Sequence, residues 1–372
     1  MRVLTFSLAY LPFVGGAELA IKEITDRLGD IEFDLITANL DGQQKPQEKI
    51  GNVTVFRVGS GKSSKYFFPW LAFKKAQELQ TATPYNIIWA MMANQAGLAA
   101  LKFKKKYPAV KYLLTLQEGD SVARIWSRTW FMRGTYKNIY RRADAIQAIS
   151  NFLARRAKKY GYQKNVAVVP NGVDMQNFSK AFNQQELDNL KTQLGITQAD
   201  TVVITTSRLV HKNGLDILIK AVKDLPVKLL ILGSGPLESK LKSLVQQLKL
   251  ENKVKFLGYK SHVEMIPYLK ISHIFSRPSR SEGLGASFLE AMGAGLPVIA
   301  PNVGGISDFL VDHQTGLFCA VDNPADLAKK IKMLCEDENL RQRLAANGKQ
   351  LMVNSYSWDK IAVEMKNIFQ KL

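Results

Sequence analysis

The chain has 372 residues, 46% hydrophobic and 22% charged, with two cysteines and a formal net charge of +19. That length exceeds one ordinary domain and suits two of roughly 150–200 residues each, while the composition excludes a disordered, collagen-like or disulfide-stapled chain. No run approaches the roughly 20 apolar residues of a membrane span, and "MRVLTFSLAYLPFVGG" reads as a buried first strand and its loop, not a secretory leader, so a soluble cytoplasmic protein is expected.

Taken in chain order, "RVLTFSLAY" and "FDLITAN" are β-branched or apolar runs separated by the helical stretch Ala17–Leu28. Strands follow at "VTVFRVG", "NIIWAMM", "KYLLTLQ" and "DAIQAIS", with helical segments between most of them. This is the rhythm of a parallel sheet covered on both faces. "VAVVPNGVD" (Val166–Asp174) ends in the strong breaker Pro-Asn-Gly, and the polar stretch "MQNFSKAFNQQELDNLK" after it lacks strand character, so the domain boundary falls here. A second alternating set begins with "TVVITTSR" and runs through "VKLLILG", "VKFLG", "HIFSRP", "PVIAPN" and "GLFCA". Helices over Pro324–Cys335, Leu340–Val353 and Trp358–Phe369 close the chain. The expected fold class is α/β: two Rossmann-like domains, 1–172 and 173–356, facing across a cleft.

The positive charge is uneven. Residues 101–164 hold sixteen Lys and Arg, Lys102, Lys104, Lys105, Lys106 and Lys111 among them, against Glu118, Asp120 and Asp144, a local excess of thirteen. Such a stretch either solvates the protein or attracts acidic lipid, polyanionic glycan or nucleic acid; no recognised nucleic-acid-binding motif accompanies it, and nucleic acid is set aside. "SKYFFPWLAFKKA" (Ser64–Ala76) adds aromatics beside Lys74 and Lys75, a pattern that suits a membrane interface or a packed core. Cys319 and Cys335 match no metal or redox spacing and read as buried reduced thiols.

Four motifs carry chemistry. In "VGGAEL", Gly15 and Gly16 precede a helix whose first N–H groups could face an anion. In "SRLVHKNG", Arg208 and Lys212 leave the first strand of the second half together and could reach one diphosphate, Arg208 as a fork and Lys212 as a point charge; His211 beside them reads as a solvated loop residue. "LGSGPLES" begins as a dinucleotide fingerprint but has Glu238 where the third glycine should stand, so it is a tight turn and speaks against hydride transfer. "SEGLGASFLEAMGAGLPVIAPNVGG" (Ser281–Gly305) is the richest. Gly283 and Gly285 let a ligand touch backbone at a helix start that favours phosphate. Glu282 before the helix and Glu290 within it could each hold hydroxyls, which describes a sugar, a diphosphate and a ribose in line.

Together "GGAE", "SRLVHKNG", "LGSGP", "SEGLG…LEAMGAGLPVIAPNVGG" and the late "YSWDKIA" resemble the GT-B glycosyltransferases of family four over nearly the whole chain. The resemblance implies that Glu282 contacts the donor sugar and Glu290 the ribose. It implies diphosphate contacts from Arg208, Lys212 and backbone at Gly16, Leu284, Gly285 and Ala286, and a base near Gly258 and Tyr259. It also implies that a C-terminal helix, about 357–372, crosses back to the N-terminal acceptor domain.

One departure stands out. Many members carry a histidine after the fifth strand of the first domain, where this chain has Gln117, which exchanges hydrogen bonds but takes no proton near neutral pH. Glu118 or Asp120 then becomes a candidate acceptor contact or base. No D-x-D metal element is present, so no cofactor is expected: Arg208, Lys212 and the helix start would meet the leaving-group charge. The implied function is a metal-independent retaining transfer of a hexosyl group from a UDP- or GDP-linked sugar to a glycan or lipid-linked acceptor. Its expected setting is peripheral, on the inner face of a membrane. A GT-B sugar-nucleotide epimerase and an inactive nucleotide-sugar-binding module are the alternatives.

Overall fold

A computed structural model describes residues 1–119, 133–179 and 182–372. The chain divides into two compact units, Met1–Gly172 with Trp358–Leu372, and Val173–Ser357.

In the first unit the strands are β1 (Arg2–Phe6), β2 (Glu32–Ala38), β3 (Gln47–Ile50), β4 (Val53–Val58), β5 (Ile87–Met91), β6 (Lys111–Leu116), β7 (Ala145–Ala148) and β8 (Val166–Val168). Among the described residues they form one sheet in the order β3-β4-β2-β1-β5-β6-β7-β8. Central β1 pairs parallel with β2 on one side and β5 on the other, Val3 lying opposite Phe33 and Ile87. Strand β3 is antiparallel to β4 and was not foreseen. Its sequence, QEKI, is half solvated, and an edge strand of this kind carries charge instead of an apolar run.

Helix Trp358–Lys371 belongs to this unit because its stripe Ile361, Met365 and Phe369 is buried against it. The Phe369 ring meets Trp89 at 5.3 Å and Phe33 at 5.8 Å, both edge-on, and the Trp89 indole donates to Thr115 Oγ1 at 2.8 Å. Ion pairs Arg27–Asp359 (2.7 Å) and Lys366–Asp30 (2.8 Å) fix the rim. Helix Ser64–Ala82 buries Ser64, Phe68, Ala72 and Ala76 at four-residue spacing, with Pro69 beside them, and so turns Tyr66, Phe67 and Trp70 to solvent.

The second unit holds β9 (Thr201–Thr206), β10 (Val227–Leu232), β11 (Val254–Phe256), β12 (Ile274–Ser276), β13 (Val298–Pro301) and β14 (Leu317–Cys319). These run in the order β11-β10-β9-β12-β13-β14, with every pairing parallel. The chain begins in the middle at β9, winds outward to β11, then returns to β12 on the other side of β9. The neighbours β9 and β12 therefore flank the topological switch point, where loops leaving the two strands diverge and open a ligand crevice. Buried Cys319 has its thiol pushed up to about 12 by burial, and Cys335 is half-buried and free. Among the described residues no helix is long and apolar enough to cross a membrane.

Candidate active site

At the second unit's switch point, the loop after β9 runs through Arg208 to a short turn of 3-10 helix, His211–Asn213, and Gly214. Arg208 and His211 are exposed and Lys212 is half-buried. The loop closes on itself when Asn213 Nδ2 donates to the Arg208 carbonyl at 2.7 Å. Arg280, from the loop after β12, holds it from the other side: Nη1 donates to the His211 carbonyl (2.6 Å), and the fork engages both oxygens of Asp216 at 3.0 and 2.8 Å. Its Nε reaches Asp322 at 2.5 Å, and its backbone N–H donates to the Lys212 carbonyl at 2.7 Å. Burial raises the Asp216 carboxyl, but the hydrogen bonds and charge of Arg280 overcome this and hold it below its ordinary value. Arg208, Lys212 and the Glu282 loop thus share one strand-end platform.

Glu282 is buried and forms an ion pair with Arg277 Nη2. Arg277 in turn donates from Nε to Ser279 Oγ (3.0 Å) and from Nη1 to Ser287 Oγ (2.7 Å), and lies 4.4 Å from the Phe288 ring centre. Every side of this guanidinium is engaged, so the carboxylate beside it is fixed in place. The other Glu282 oxygen accepts from the Gly283 N–H at 3.2 Å. Gly304, at φ +62°, packs so closely that a Cβ there would lie 1.8 Å from the Glu282 carbonyl oxygen. That contact accounts for one of the paired glycines after β13.

The helix begins at Ala286, with Gly285 as its N-cap at φ +95° and Leu284 buried beside it. Glu290, one turn further on, is buried and meets His262 Nδ1 at 2.7 Å. Gly258 accepts at its carbonyl from the Gly233 N–H (2.7 Å), and Tyr259 beyond it is exposed. The residues expected at 258–259, 282–286 and 290 therefore fall on loops and a helix start at one edge of one sheet. His262, Arg277 and Arg280 were missed. The sequence signal for the two arginines is "SRPSR", which sets cations on both sides of Pro278-Ser279 directly after an apolar strand.

In the first unit, Gly15 is the N-cap of helix Gly16–Asp26. The seat read there as open to an anion is partly filled by the chain itself: Glu18 folds its carboxylate back onto the N–H groups of Gly15 and its own residue. Burial nevertheless raises the Glu18 carboxyl above its ordinary value. Gln117, at the end of β6, accepts from Asn171 Nδ2 at 3.2 Å, and that amide lies 3.8 Å from where a Cβ on Gly16 would stand. Gly16, Gln117 and Asn171 are thus gathered together. Glu118 takes the Ala93 N–H at 2.5 Å, and burial raises its carboxyl against the lowering effect of that bond and of Arg156. Asp120 lies outside the described residues. Among those described, no group of three or more His, Cys, Asp or Glu is placed to hold a metal ion.

The described residues of the basic stretch do not form a single free face. Arg156 is buried, Lys104 pairs with Asp144 at 2.7 Å, and Lys158 and Lys164 donate to backbone carbonyls.

Comparison with known proteins gives this geometry its context. The family model for glycosyl transferases group 1 matches residues 186–351, and that for Glycosyltransferase Family 4 matches residues 14–177. An uncharacterized glycosyltransferase of Methanocaldococcus jannaschii is 27% identical over 373 residues, covering 100% of this chain and 99% of that one. A GDP-mannose-dependent monoacylated alpha-(1-6)-phosphatidylinositol monomannoside mannosyltransferase of Corynebacterium glutamicum is 31% identical over 288 residues, 74% of each chain. Among solved structures, sucrose-phosphate synthase from Thermosynechococcus elongatus aligns with a TM-score of 0.87 at 18% identity, over 100% of this chain and 98% of that one. Anabaena HepE in complex with UDP-glucose aligns at 0.84 and 22% identity over 100% of both chains. With both halves matched in order and the two doubly wound sheets in place, the chain belongs to the group 1, family 4 glycosyltransferases and has their GT-B fold.

Proposed function

We propose that this glycosyltransferase moves a hexosyl group, with retention and without a metal ion, from a UDP- or GDP-linked sugar to a glycan or lipid-linked acceptor at an anionic membrane surface. One observation carries the reading: the buried carboxylates Glu282 and Glu290 bracket the helix start at Gly285–Ala286, while Arg280 ties the Arg208–Lys212 loop to the same strand ends. Glu282 accepts from hydroxyls of the donor sugar, and Glu290 from those of the ribose. Arg208, Lys212 and the N–H groups of Leu284–Ala286 take the diphosphate, and the base stacks near Gly258 and Tyr259. The UDP-glucose of HepE and the GDP-mannose of the Corynebacterium enzyme are donors of the proposed class.

As the anomeric carbon–oxygen bond breaks, negative charge gathers on the departing diphosphate, where two cations and a helix start stabilise it electrostatically. The acceptor oxygen bonds to the same face of the sugar and passes its proton to the departing phosphate oxygen, so no titrating imidazole is required at Gln117. Gln117 orients the acceptor or sugar by hydrogen bonding, and Asp120 is the further candidate contact on that side.

The test is a thermal-shift screen with UDP, GDP, ADP and their sugar conjugates on wild type and Glu290→Ala, followed by turnover of any sugar nucleotide that binds. A ligand held only by the folded state raises apparent stability as RT ln(1 + [L]/Kd). A selective shift lost in the variant supports the reading. Binding without turnover in the presence of glycan and lipid-linked acceptors favours a non-catalytic binding module, and no shift with any nucleotide removes the proposal.

A further inference from the structure

We propose that the solvent face of helix Ser64–Ala82 is the surface by which this protein docks on an anionic phospholipid bilayer, with Tyr66, Phe67 and Trp70 entering the headgroup region. This gives a location to the membrane setting in the proposed function and shares that premise, but uses none of the donor-site residues.

The packing of the helix dictates the arrangement. Its buried stripe, Ser64, Phe68, Ala72 and Ala76, points at the sheet, so residues half a turn away must face water. Those residues are aromatic: Tyr66 is 63% exposed, Phe67 61% and Trp70 58%. Aromatic side chains ordinarily bury most of their area, and a contiguous exposed cluster marks an interaction surface.

Charge selects the occupant. Lys62 and Lys65 are exposed at the entry to the helix, and Lys65 Nζ stands 4.8 Å from the Tyr66 ring. Lys102, from the packed neighbouring helix Gln95–Lys106, stands 5.1 Å from Trp70. The neighbouring helix has no acidic residue, and the single acid of helix Ser64–Ala82, Glu78, is bonded to Lys75 at 3.2 Å. A second copy of the chain meeting this face symmetrically would set lysines against lysines. A bilayer of acidic lipid offers the complement: anionic headgroups for the lysines, and an interface where tyrosine and tryptophan rings lie with one end apolar and the other wet.

The experiment is co-sedimentation of the full chain with phosphatidylcholine vesicles and with vesicles one third phosphatidylglycerol, at low and high salt. The variants are Phe67→Ser/Trp70→Ser, Lys65→Gln/Lys102→Gln and, as a control on another helix, Lys158→Gln/Lys159→Gln. Nucleotide thermal shifts and sedimentation velocity without lipid accompany each sample. The expected result is binding to the anionic vesicles that weakens with salt, falls at least tenfold in both patch variants and holds in the control. Equal binding by the aromatic variant, equal binding to neutral vesicles, or no vesicle binding by wild type overturns the proposal. So does a lipid-free dimer that the aromatic variant dissolves. Vesicle binding with no nucleotide shift keeps the surface and removes the transferase assignment of the site; a nucleotide shift with no vesicle binding does the reverse.

Discussion

Arg277 and Glu282 form an ion pair almost sealed from water, their side chains 8% and 11% exposed, with two serine hydroxyls and the Phe288 ring closing round the guanidinium. The expected donor-sugar carboxylate is therefore a held group, and its holder is a residue that the motif does not advertise.

Breaking this pair from one side strands a buried charge, which costs about 3–5 kcal/mol, whereas replacing both partners by uncharged groups of similar volume is often close to neutral. Arg277→Met and Glu282→Gln are each expected to lower the urea-unfolding midpoint of Val173–Ser357 strongly. The double variant should recover most of the loss. Additive losses in the double variant would mean that the two side chains act separately.

At the other carboxylate, Glu290→Ala removes the group expected to accept from ribose. A hydrogen bond to a charged partner is worth about 1.5–3 kcal/mol, or roughly 10- to 150-fold in Kd. Isothermal titration with UDP and GDP should show that loss. His262→Ala, which removes the 2.7 Å contact at Glu290 Oε1 but leaves the carboxylate, is expected to weaken binding less than Glu290→Ala.

His273 supplies the pH dependence. Its Nδ1 accepts from the Val202 N–H at 3.0 Å, which requires an unprotonated nitrogen, and burial followed by the charges of Arg341 and Lys191 lowers its pKa. The folded state thus holds fewer protons than the unfolded state as pH falls below the ordinary value of about 6.5. Stability from this group is full above that pH and is lost on acidification towards the lowered folded value, with a slope of at most about 1.4 kcal/mol per pH unit. In His273→Asn, an oxygen can replace the acceptor without titrating, so urea midpoints measured from pH 7.5 to 5.5 should lose this component of the slope.

A methyl group at Gly304 meets two obstacles, the left-handed φ of +62° and the Glu282 carbonyl 1.8 Å from the added carbon. Gly195 shares the conformation, at φ +66°, but has nothing within 4 Å. Gly195→Ala should cost about 1–2 kcal/mol. Gly304→Ala should cost more and also abolish the nucleotide-induced thermal shift, because the Glu282 backbone must move.

The sequence displays the large features for physical reasons. Strands buried on both faces, such as IIWAM and the LLIL of β10, are unbroken apolar runs, so the alternation of the two sheets is legible without coordinates. Polar edge strand β3 has no such run and stays hidden. Glu282 and Glu290 stand out because glycines surround them, since close backbone approach leaves a compositional trace. Arg277 leaves only the faint "SRPSR" signal, and His262 leaves none. Their importance lies in contacts set by folding, the first with Ser287 ten residues on and the second with Glu290 across a loop. Glycines serve packing as well: Gly304 makes room for the Glu282 carbonyl, and Glu18 folds towards the helix start after Gly15.

The ring contacts of Phe369 with Trp89 and Phe33 also set the order in which the protein can be finished on the ribosome. The strands of the first unit emerge early, yet one flank of their core stays bare while all of Val173–Ser357 is translated, roughly 10–40 s at 5–20 residues per second. Throughout that interval Trp89, Phe33 and the apolar side of helix Gly16–Asp26 lack their cover, and the second unit, whose sheet and helices are contiguous in sequence, can close first. The half made earliest is the half completed last, and its nascent surface is where a chaperone would be needed.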